Sequence, residues 1–359
     1  VIVFESLKLS SFRNFEDEQI TFCPGTNIIL GQNGHGKSNL LEALYLICTG
    51  KSFRTSHIKE LIAFEKEGFC LEAFLKKNGI DHHIIIEYYT HKKKLTIDKN
   101  SYPHFHPLLG FLPVVIMTPE MKKLIDGGPS DRRKFFDFFG SQLSRPYFES
   151  ITRYHKALKQ KNAALKLKQD TQVWELLLAK EWLEIEKHRV QFIEKIQNLS
   201  QGHLDAYPDL NAKLSLTYVP SLKQSPQTIQ DVLRIYQKNK AQEIHTCTTL
   251  FGPHRDEIDI GLNGSKASQT ASEGQKKMLI AAFSFACFDL LKQTLGTEPL
   301  FLIDDYDAHF DLVRKNWISS ELKAMSQSFL TSPLTELGAH YEALFIHSGK
   351  VNKGVYTYN

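Results

Sequence analysis

Asn27-Ile28-Ile29-Leu30 runs straight into Gly31-Gln32-Asn33-Gly34-His35-Gly36-Lys37-Ser38, so a complete G-x-x-x-x-G-K-[ST] loop stands directly behind an apolar strand. The next residues, Asn39-Leu40-Leu41-Glu42-Ala43-Leu44-Tyr45-Leu46-Ile47, read as a helix with an apolar face. A strand, a glycine-rich loop and a helix in this register constrain the chain to a P-loop α/β fold. Glycines let successive backbone N–H groups turn inward around a β-phosphate, and the helix N-terminus adds its positive end. The expected ATP-binding residues are therefore Gly31, Gln32, Asn33, Gly34, His35, Gly36, Lys37, Ser38 and Asn39. Lys37 would reach the β- and γ-phosphates, the Ser38 hydroxyl would hold Mg²⁺, and His35 would act through its backbone.

Two segments near the other end narrow the class. Pro299-Leu300-Phe301-Leu302-Ile303-Asp304-Asp305 is an apolar strand ending in paired carboxylates, the form of a Walker B strand. There Asp304 would hold Mg²⁺ and Asp305 would polarise the attacking water. A buried strand that merely ends in an acidic turn is the alternative. Upstream, Ser272-Glu273-Gly274-Gln275 opens a long apolar helix from Met278 to Leu291. In isolation this is an N-capped helix. Before a Walker B strand it looks like the signature of ABC-type ATPases, where Ser272, Gly274 and Gln275 would bind the γ-phosphate held by a second subunit. That order of motifs pairs two subunits head to tail, with ATP as the contact between them.

With these motifs in place, Leu7-Lys8-Leu9-Ser10-Ser11-Phe12-Arg13-Asn14-Phe15 resembles the opening of the RecF family of SMC-like DNA-repair ATPases. Further blocks recur in family order: Lys51-Ser52-Phe53-Arg54-Thr55, Gly127-Gly128-Pro129-Ser130-Asp131-Arg132-Arg133, Tyr154 to Lys166, and Gly252-Pro253-His254-Arg255-Asp256. The resemblance spans nearly the whole chain. It implies ATP and Mg²⁺ as cofactors and a homodimer formed on ATP. It also implies gapped or single-strand/double-strand junction DNA as partner, RecR and RecO as protein partners, and help in loading the recombinase RecA. Hydrolysis would be slow and stimulated by DNA. Arg13 and Asn14 are carried over as ATP-site residues, with packing an equal alternative. Glu120, in Met117-Thr118-Pro119-Glu120, stands where transporter ATPases place a Gln-bearing loop. After the paired aspartates the family's Ser-Glu-Leu-Asp type D-loop is replaced by Tyr306-Asp307-Ala308-His309-Phe310-Asp311, which leaves only Asp311 in common. Cross-subunit control of hydrolysis therefore departs from the family pattern. At the switch position, Gln327-Ser328-Phe329-Leu330-Thr331-Ser332 lacks the His of ABC transporters and has the Thr common in RecF proteins.

Charge is informative through its distribution. The net charge of +4 permits nucleic-acid binding without demanding it. Arg153, Lys156, Lys159, Lys161, Lys166 and Lys168 occur with no acidic residue among them, and helical periodicity brings Arg153, Lys156 and Lys159 together. Such a stripe can track DNA phosphates, or be an ordinary solvated face. Arg132 and Arg133, beside a Gly-Gly-Pro turn, could serve DNA, nucleotide or an internal ion pair. His91-Lys92-Lys93-Lys94 reads as the basic tip or edge of a strand. His254, Arg255 and Asp256 read as a hydrogen-bonded structural cluster rather than a catalytic one.

The fold class that follows is α/β: an ABC-type P-loop ATPase head, a mixed sheet around a P-loop core, with an inserted helical lobe. Residues 1–120 would form the N-terminal part of the head, with an antiparallel meander from Phe69 to Ile97 turning at Asn78-Gly79. Residues 121–206 would form the lobe, with Trp174, Leu177, Leu178, Trp182, Ile185, Phe192 and Ile196 as a core-facing stripe. Residues 207–359 would return to strands, with a turn at Asn263-Gly264, and complete the head. Five widely spaced cysteines suggest neither a disulfide framework nor a zinc site. No apolar run approaches the ~18 residues of a membrane span, so a cytoplasmic protein with no membrane partner is expected. The rival class is an ABC-type ATPase driving a membrane or protein partner, against which the missing switch His and the Phe12-Arg13-Asn14 opening both count. A P-loop small-molecule kinase would leave Ser272, Gly274 and Gln275 unexplained.

Overall fold

A computed structural model describes residues 1–207, 212–306, 312–333 and 341–356. The chain opens with β1 (Ile2–Phe12), β2 (Phe15–Thr21), β3 (Gly25–Leu30) and α1 (Lys37–Thr49). A run of strands follows: β4 (Gly68–Lys77), β5 (Ile80–Tyr89), β6 (Lys92–Ile97), β7 (Asn100–Tyr102) and β8 (Val114–Met117). Helices then dominate in α2 (Lys122–Asp126), α3 (Pro129–Leu143), α4 (Arg145–Lys166) and α5 (Gln172–Asp205). Next come β9 (Leu214–Val219), α6 (Ile229–Thr246), β10 (Glu257–Leu262), β11 (Ser265–Lys266), α7 (Ala267–Thr270) and α8 (Glu273–Leu295). The chain ends with β12 (Leu300–Ile303), α9 (Leu312–Lys323), β13 (Gln327–Ser332), β14 (Tyr341–His347) and β15 (Lys350–Tyr356).

These elements divide into two compact units. The first comprises Val1–Met121 with Cys287–Asn359, and the second Lys122–Ala286. The second unit therefore starts where the helical lobe is expected but continues past residue 206, taking in β9, α6, the β10–β11 hairpin and the start of α8. Its three-stranded sheet, ordered β11-β10-β9, packs with α5 through β9, which draws the later strands to the lobe.

In the first unit one sheet runs β15-β14-β3-β13-β12-β8, parallel from β14 to β8 with β15 antiparallel at the edge. This is the mixed sheet around the P-loop strand that the sequence leads one to expect. Strands β12 and β13 are buried at every position, which fits parallel strands covered on both faces. The second sheet, β2-β1-β4-β5-β6-β7, is the antiparallel meander. Asn78 and Gly79 both take positive φ (51° and 82°), the backbone of a two-residue hairpin turn whose twist matches its strands. Asn263 and Gly264 do the same between β10 and β11 (53° and 82°).

In the second unit, Leu178, Trp182, Ile185, Phe192 and Ile196 of the predicted α5 stripe are buried, while Trp174 and Leu177 lie half-buried near the helix start. One helix was not anticipated. Helix α6 occupies residues expected to be strand and begins with a reciprocal capping box, the Thr228 hydroxyl accepting from Asp231 N and the Asp231 carboxylate accepting from Thr228 N. The expectation that no segment has the length and apolarity of a membrane span is also corrected. Helix α8 has both, with a mean hydropathy of 1.4 over its most apolar window, but 72% of that window is buried in the protein. It is a core helix.

Candidate nucleotide site

Strand β3 delivers Gly31 to the end of the parallel sheet, where the chain must turn sharply beneath a neighbouring strand. A Cβ on Gly31 would stand 2.5 Å from the carbonyl oxygen of Ile346 on β14, so only glycine fits between the strands there. Gly36 has φ +115°, and a Cβ would meet the Asn14 side chain at 2.6 Å. Asn14 is itself fixed to the loop, because its Nδ2 donates to His35 O at 2.8 Å and its Oδ1 accepts from Asn39 at 2.8 Å. Gly349 N, at the tip of the β14–β15 hairpin, donates to the same His35 oxygen. The His35 ring meets that of His347 edge to face, with centroids 4.6 Å apart. The loop is thus clamped from both sides through its backbone.

Lys37 is 4% exposed, and its ammonium donates to Gly31 O at 2.6 Å and Gln32 O at 3.1 Å. Burial lowers its pKa, an effect opposed by the charges of Asp305 and Asp304. Ser38 donates to Asp304 Oδ1 at 2.9 Å, joining the start of α1 to the end of β12 across 266 residues of sequence. The same carboxylate oxygen accepts from Thr331 Oγ1 at 2.8 Å, and that hydroxyl in turn accepts from Asp305 N at 2.9 Å. Thr331, the penultimate residue of β13, therefore locks the two aspartates in a fixed relation. Asp305 takes φ +53°, a left-handed conformation that costs a non-glycine residue about 1 kcal/mol or more and needs such a lock. Burial raises the Asp304 pKa, partly offset by the hydroxyls of Thr331 and Ser38 and reinforced by the charge of Asp305. A buried carboxylate beside a serine hydroxyl is an oxygen donor set suited to a hard divalent cation that keeps several waters.

Arg13 lies outside this constellation. Its guanidinium forks onto Glu42 with both bonds at 2.8 Å, and Glu42 is fully buried on α1 and also accepts from Ser52. The Phe12-Arg13-Asn14 opening thus anchors α1, with Asn14 alone touching the loop. Arg54 contributes to the same anchor, donating to Asn39 Oδ1 at 2.7 Å. The sequence block Lys51-Ser52-Phe53-Arg54-Thr55 carries no local signal of this role for Arg54, because Asn39 lies on the preceding helix. Glu120 is exposed in the turn after β8, and residues 307–311 of the D-loop segment lie outside the described residues.

In the second unit the signature segment opens α8 at the surface. Ser272 Oγ accepts from Gln275 N at 3.2 Å and Gln275 Oε1 accepts from Ser272 N at 2.8 Å, a reciprocal cap that leaves Ser272 exposed. Lys122 to Glu273 and Lys276 to Asp126, each at 2.8 Å, pin this helix start to α2.

The expected basic stripe is divided by the structure. Arg153 forks onto Glu181 at 2.7 and 3.0 Å, and Arg132 onto Glu257 at 2.9 and 3.2 Å. Lys161 is wholly buried, 2.7 Å from Glu243 and 3.6 Å from the Tyr236 ring centroid. Lys156 and Lys159 are exposed.

A P-loop on a parallel core, its hydroxyl on a Walker B carboxylate, and a flanking antiparallel meander define an ABC-type ATPase head of the SMC kind. The family model described as RecF/RecN/SMC N terminal domain matches residues 3–345. The DNA replication and repair protein RecF of Protochlamydia amoebophila (strain UWE25) is 34% identical over 95% of this chain and 97% of its own length. That of Alkaliphilus oremlandii (strain OhILAs) is 32% identical over 93% and 94%. The chain belongs to the RecF family. A solved structure of the recombination mediator protein RecF with ATP, in the RecFOR pathway, superposes with a TM-score of 0.90 at 28% identity over 98% of this chain and 97% of that one. The Smc head domain of Pyrococcus furiosus is 16% identical with a TM-score of 0.57 over 99% and 97%, a likeness of fold alone.

Proposed function

We propose that this protein is an ATP-dependent DNA-binding protein of recombinational repair and replication restart, cytoplasmic, which pairs with a second copy on ATP and holds gapped or junction DNA. The observation that carries the reading is the Ser38–Asp304 hydrogen bond at 2.9 Å, which joins the Walker A and Walker B motifs at one point. The residues fit Mg²⁺: Ser38 and Asp304 would hold it, and it would neutralise charge on the phosphates. Residues 31–39 cradle the triphosphate through backbone N–H groups, and Asn14 braces the loop from outside. Lys37 exchanges the carbonyls of Gly31 and Gln32 for phosphate oxygens. Asp305, held by Thr331, orients the attacking water and accepts its proton. Ser272, Gly274 and Gln275 of the second copy complete the site from an exposed helix start whose cap is already formed. Hydrolysis removes the γ-phosphate that both copies grip, and so releases the pair by loss of differential affinity. The DNA reading is supported by family membership and by the exposed Lys156 and Lys159; Arg132 and Arg153 are committed to glutamates, which lowers their part in it. RecR and RecO are the proposed protein partners, with recombinase loading as the outcome.

The test is binding to a gapped duplex with ATP, ADP or no nucleotide, beside Lys37→Met and Ser272→Arg. Lys37→Met should lose ATP-dependent DNA binding. Ser272→Arg should retain ATP binding as a monomer and lose pairing by light scattering. DNA binding indifferent to nucleotide, or normal pairing of Ser272→Arg, would overturn the clamp.

A further inference from the structure

The loop Gly252-Pro253-His254-Arg255-Asp256 is held at every residue but one. Gly252 has φ +136°, and a Cβ would stand 2.3 Å from the Tyr154 hydroxyl. The Pro253 carbonyl accepts from the buried Arg189 at 2.7 Å. Both ring nitrogens of His254 are engaged, Nδ1 with the Tyr154 hydroxyl at 2.7 Å and Nε2 with Thr249 O at 3.1 Å. The Asp256 carboxylate is consumed by Ser221 N, the Tyr218 hydroxyl and Arg189. Arg255 is the exception: its backbone N–H closes the turn onto Gly252 O at 2.8 Å, while its side chain is exposed. Among the described residues no carboxylate lies within ion-pair distance of it, since the nearest in sequence, Asp256 and Glu257, are taken by Arg189 and Arg132.

Arg133 also makes no ion pair among the described residues, although it is half-buried and feels Glu257, Asp137 and Asp256 through space. Its Nη1 donates to the Asp256 carbonyl at 2.6 Å, which fixes the guanidinium against this loop without neutralising it, and Asp137 is spent on Arg189. Burial takes the His254 pKa down to about 4, with Arg255, His155 and Arg133 pushing the same way, and burial lowers the His155 pKa too, so both imidazoles are neutral beside the two arginines. His155 is exposed on α4, and Lys159, one turn on along the same face, is exposed as well. Arg255 and Arg133 thus stand together at this loop without an ion-pair partner among the described residues, whereas Arg132, Arg153 and Lys161 are committed to glutamates.

We propose that Arg255 and Arg133, continued along α4 by Lys159 and by the neutral His155 as a hydrogen-bond donor, form a phosphate-binding track for a polynucleotide backbone. The inference rests on the DNA reading above and joins Arg255 and Arg133 to the Lys159 that reading already names. The rigid loop fixes the backbone from which the Arg255 guanidinium projects, and the Asp256 carbonyl holds that of Arg133, so little entropy is lost at Arg133 when a tetrahedral oxyanion binds between them. The extension along a helix face suits a chain of phosphates rather than one.

The test is equilibrium binding of a fluorescent gapped duplex across a salt series with ATP, for the full chain, Arg255→Ala, Arg255→Lys and the double variant Arg133→Ala/Arg255→Ala. Each phosphate contact contributes about 0.9 to the slope of log K against log salt. The expected result is a slope shallower by about 0.9 for Arg255→Ala and about 1.8 for the double variant, with the slope regained in Arg255→Lys and ATP affinity unchanged. Wild-type DNA binding with an unaltered slope in Arg255→Ala would overturn the track and leave the DNA reading standing. No DNA binding by the wild type in any nucleotide state would overturn both. Loss of ATP affinity in Arg255→Ala without a change of slope would assign the phosphate to the nucleotide and overturn the polynucleotide track.

Discussion

Replacing Thr331 by Val keeps the β-branched shape on a fully buried strand and removes one hydroxyl. That hydroxyl donates to Asp304 Oδ1 at 2.8 Å and accepts from Asp305 N at 2.9 Å. Losing a hydrogen bond to a charged group costs about 1.5 to 3 kcal/mol, and leaving a partly buried N–H without a partner costs about 1 to 3 kcal/mol. The two share one atom and are not additive, so a loss of about 3 kcal/mol in stability of the first unit is expected. The larger consequence falls on chemistry. Asp305, released from its left-handed backbone, no longer holds a single position, and a transition-state loss of about 1.4 to 2 kcal/mol corresponds to a ten- to thirtyfold slower hydrolytic step. ATP affinity should change little, because the loop and Lys37 are anchored elsewhere and Ser38 keeps its own bond to Asp304. Single-turnover hydrolysis with DNA present, beside equilibrium binding of a fluorescent ATP analogue, separates the two effects, and Thr331→Ser should stay near wild type. A Val variant hydrolysing within twofold of wild type, or a Ser variant as slow as Val, would refute the coupling of the aspartates through this hydroxyl.

Further expectations concern the second unit. Lys161→Met leaves Glu243 buried with only the Leu250 N–H as its partner, which should cost about 3 to 5 kcal/mol in urea unfolding. Adding Glu243→Leu should recover most of that loss, and failure of the double variant to recover would disprove the pairing. His254 titrates near pH 4 when folded and near 6.5 when unfolded, so its neutral form stabilises the unit fully above pH 6.5. This stability drains away as the pH falls from 6.5 to 4, up to about 3 kcal/mol from this one group. A His254→Gln variant, which keeps polar contacts to Tyr154 or Thr249 but cannot charge, should show a flatter thermal stability between pH 4.5 and 7; an unchanged pH profile would remove His254 as its source.

What could be read from the sequence was what is local. The P-loop, the turns at Asn78-Gly79 and Asn263-Gly264 and the start of α8 each depend on a few neighbouring residues. The buried Lys161 looked like a member of a basic stripe because its partner Glu243 lies 82 residues away, and no periodicity reports such a pairing. Arg132 and Glu257 are 125 apart, and for the same reason an internal fork could not be told from a ligand site. Helix α6 is a different kind of miss. Thr228 with Asp231 three residues on, followed by Val232, Ile235 and Tyr236 on one face, is a helix start legible in the sequence, which the strand pattern on either side of it obscures. The boundary of the second unit was hidden because β9 is drawn to α5, a tertiary preference that composition does not carry.

The strand order β15-β14-β3-β13-β12-β8 also dictates when this protein becomes competent during synthesis. Strand β3 ends at Leu30, yet both of its sheet neighbours lie beyond residue 326, nearly 300 residues later in synthesis. At roughly 5 to 20 residues per second, the loop-bearing strand waits on the order of 15 to 60 s for partners. The Lys122–Ala286 unit is continuous in sequence and is synthesised before β13 begins at Gln327. The nascent chain therefore carries a long-lived apolar edge, Ile28-Ile29-Leu30, beside a finished domain. Its dependence on chaperones should be set by that interval rather than by the stability of the mature head.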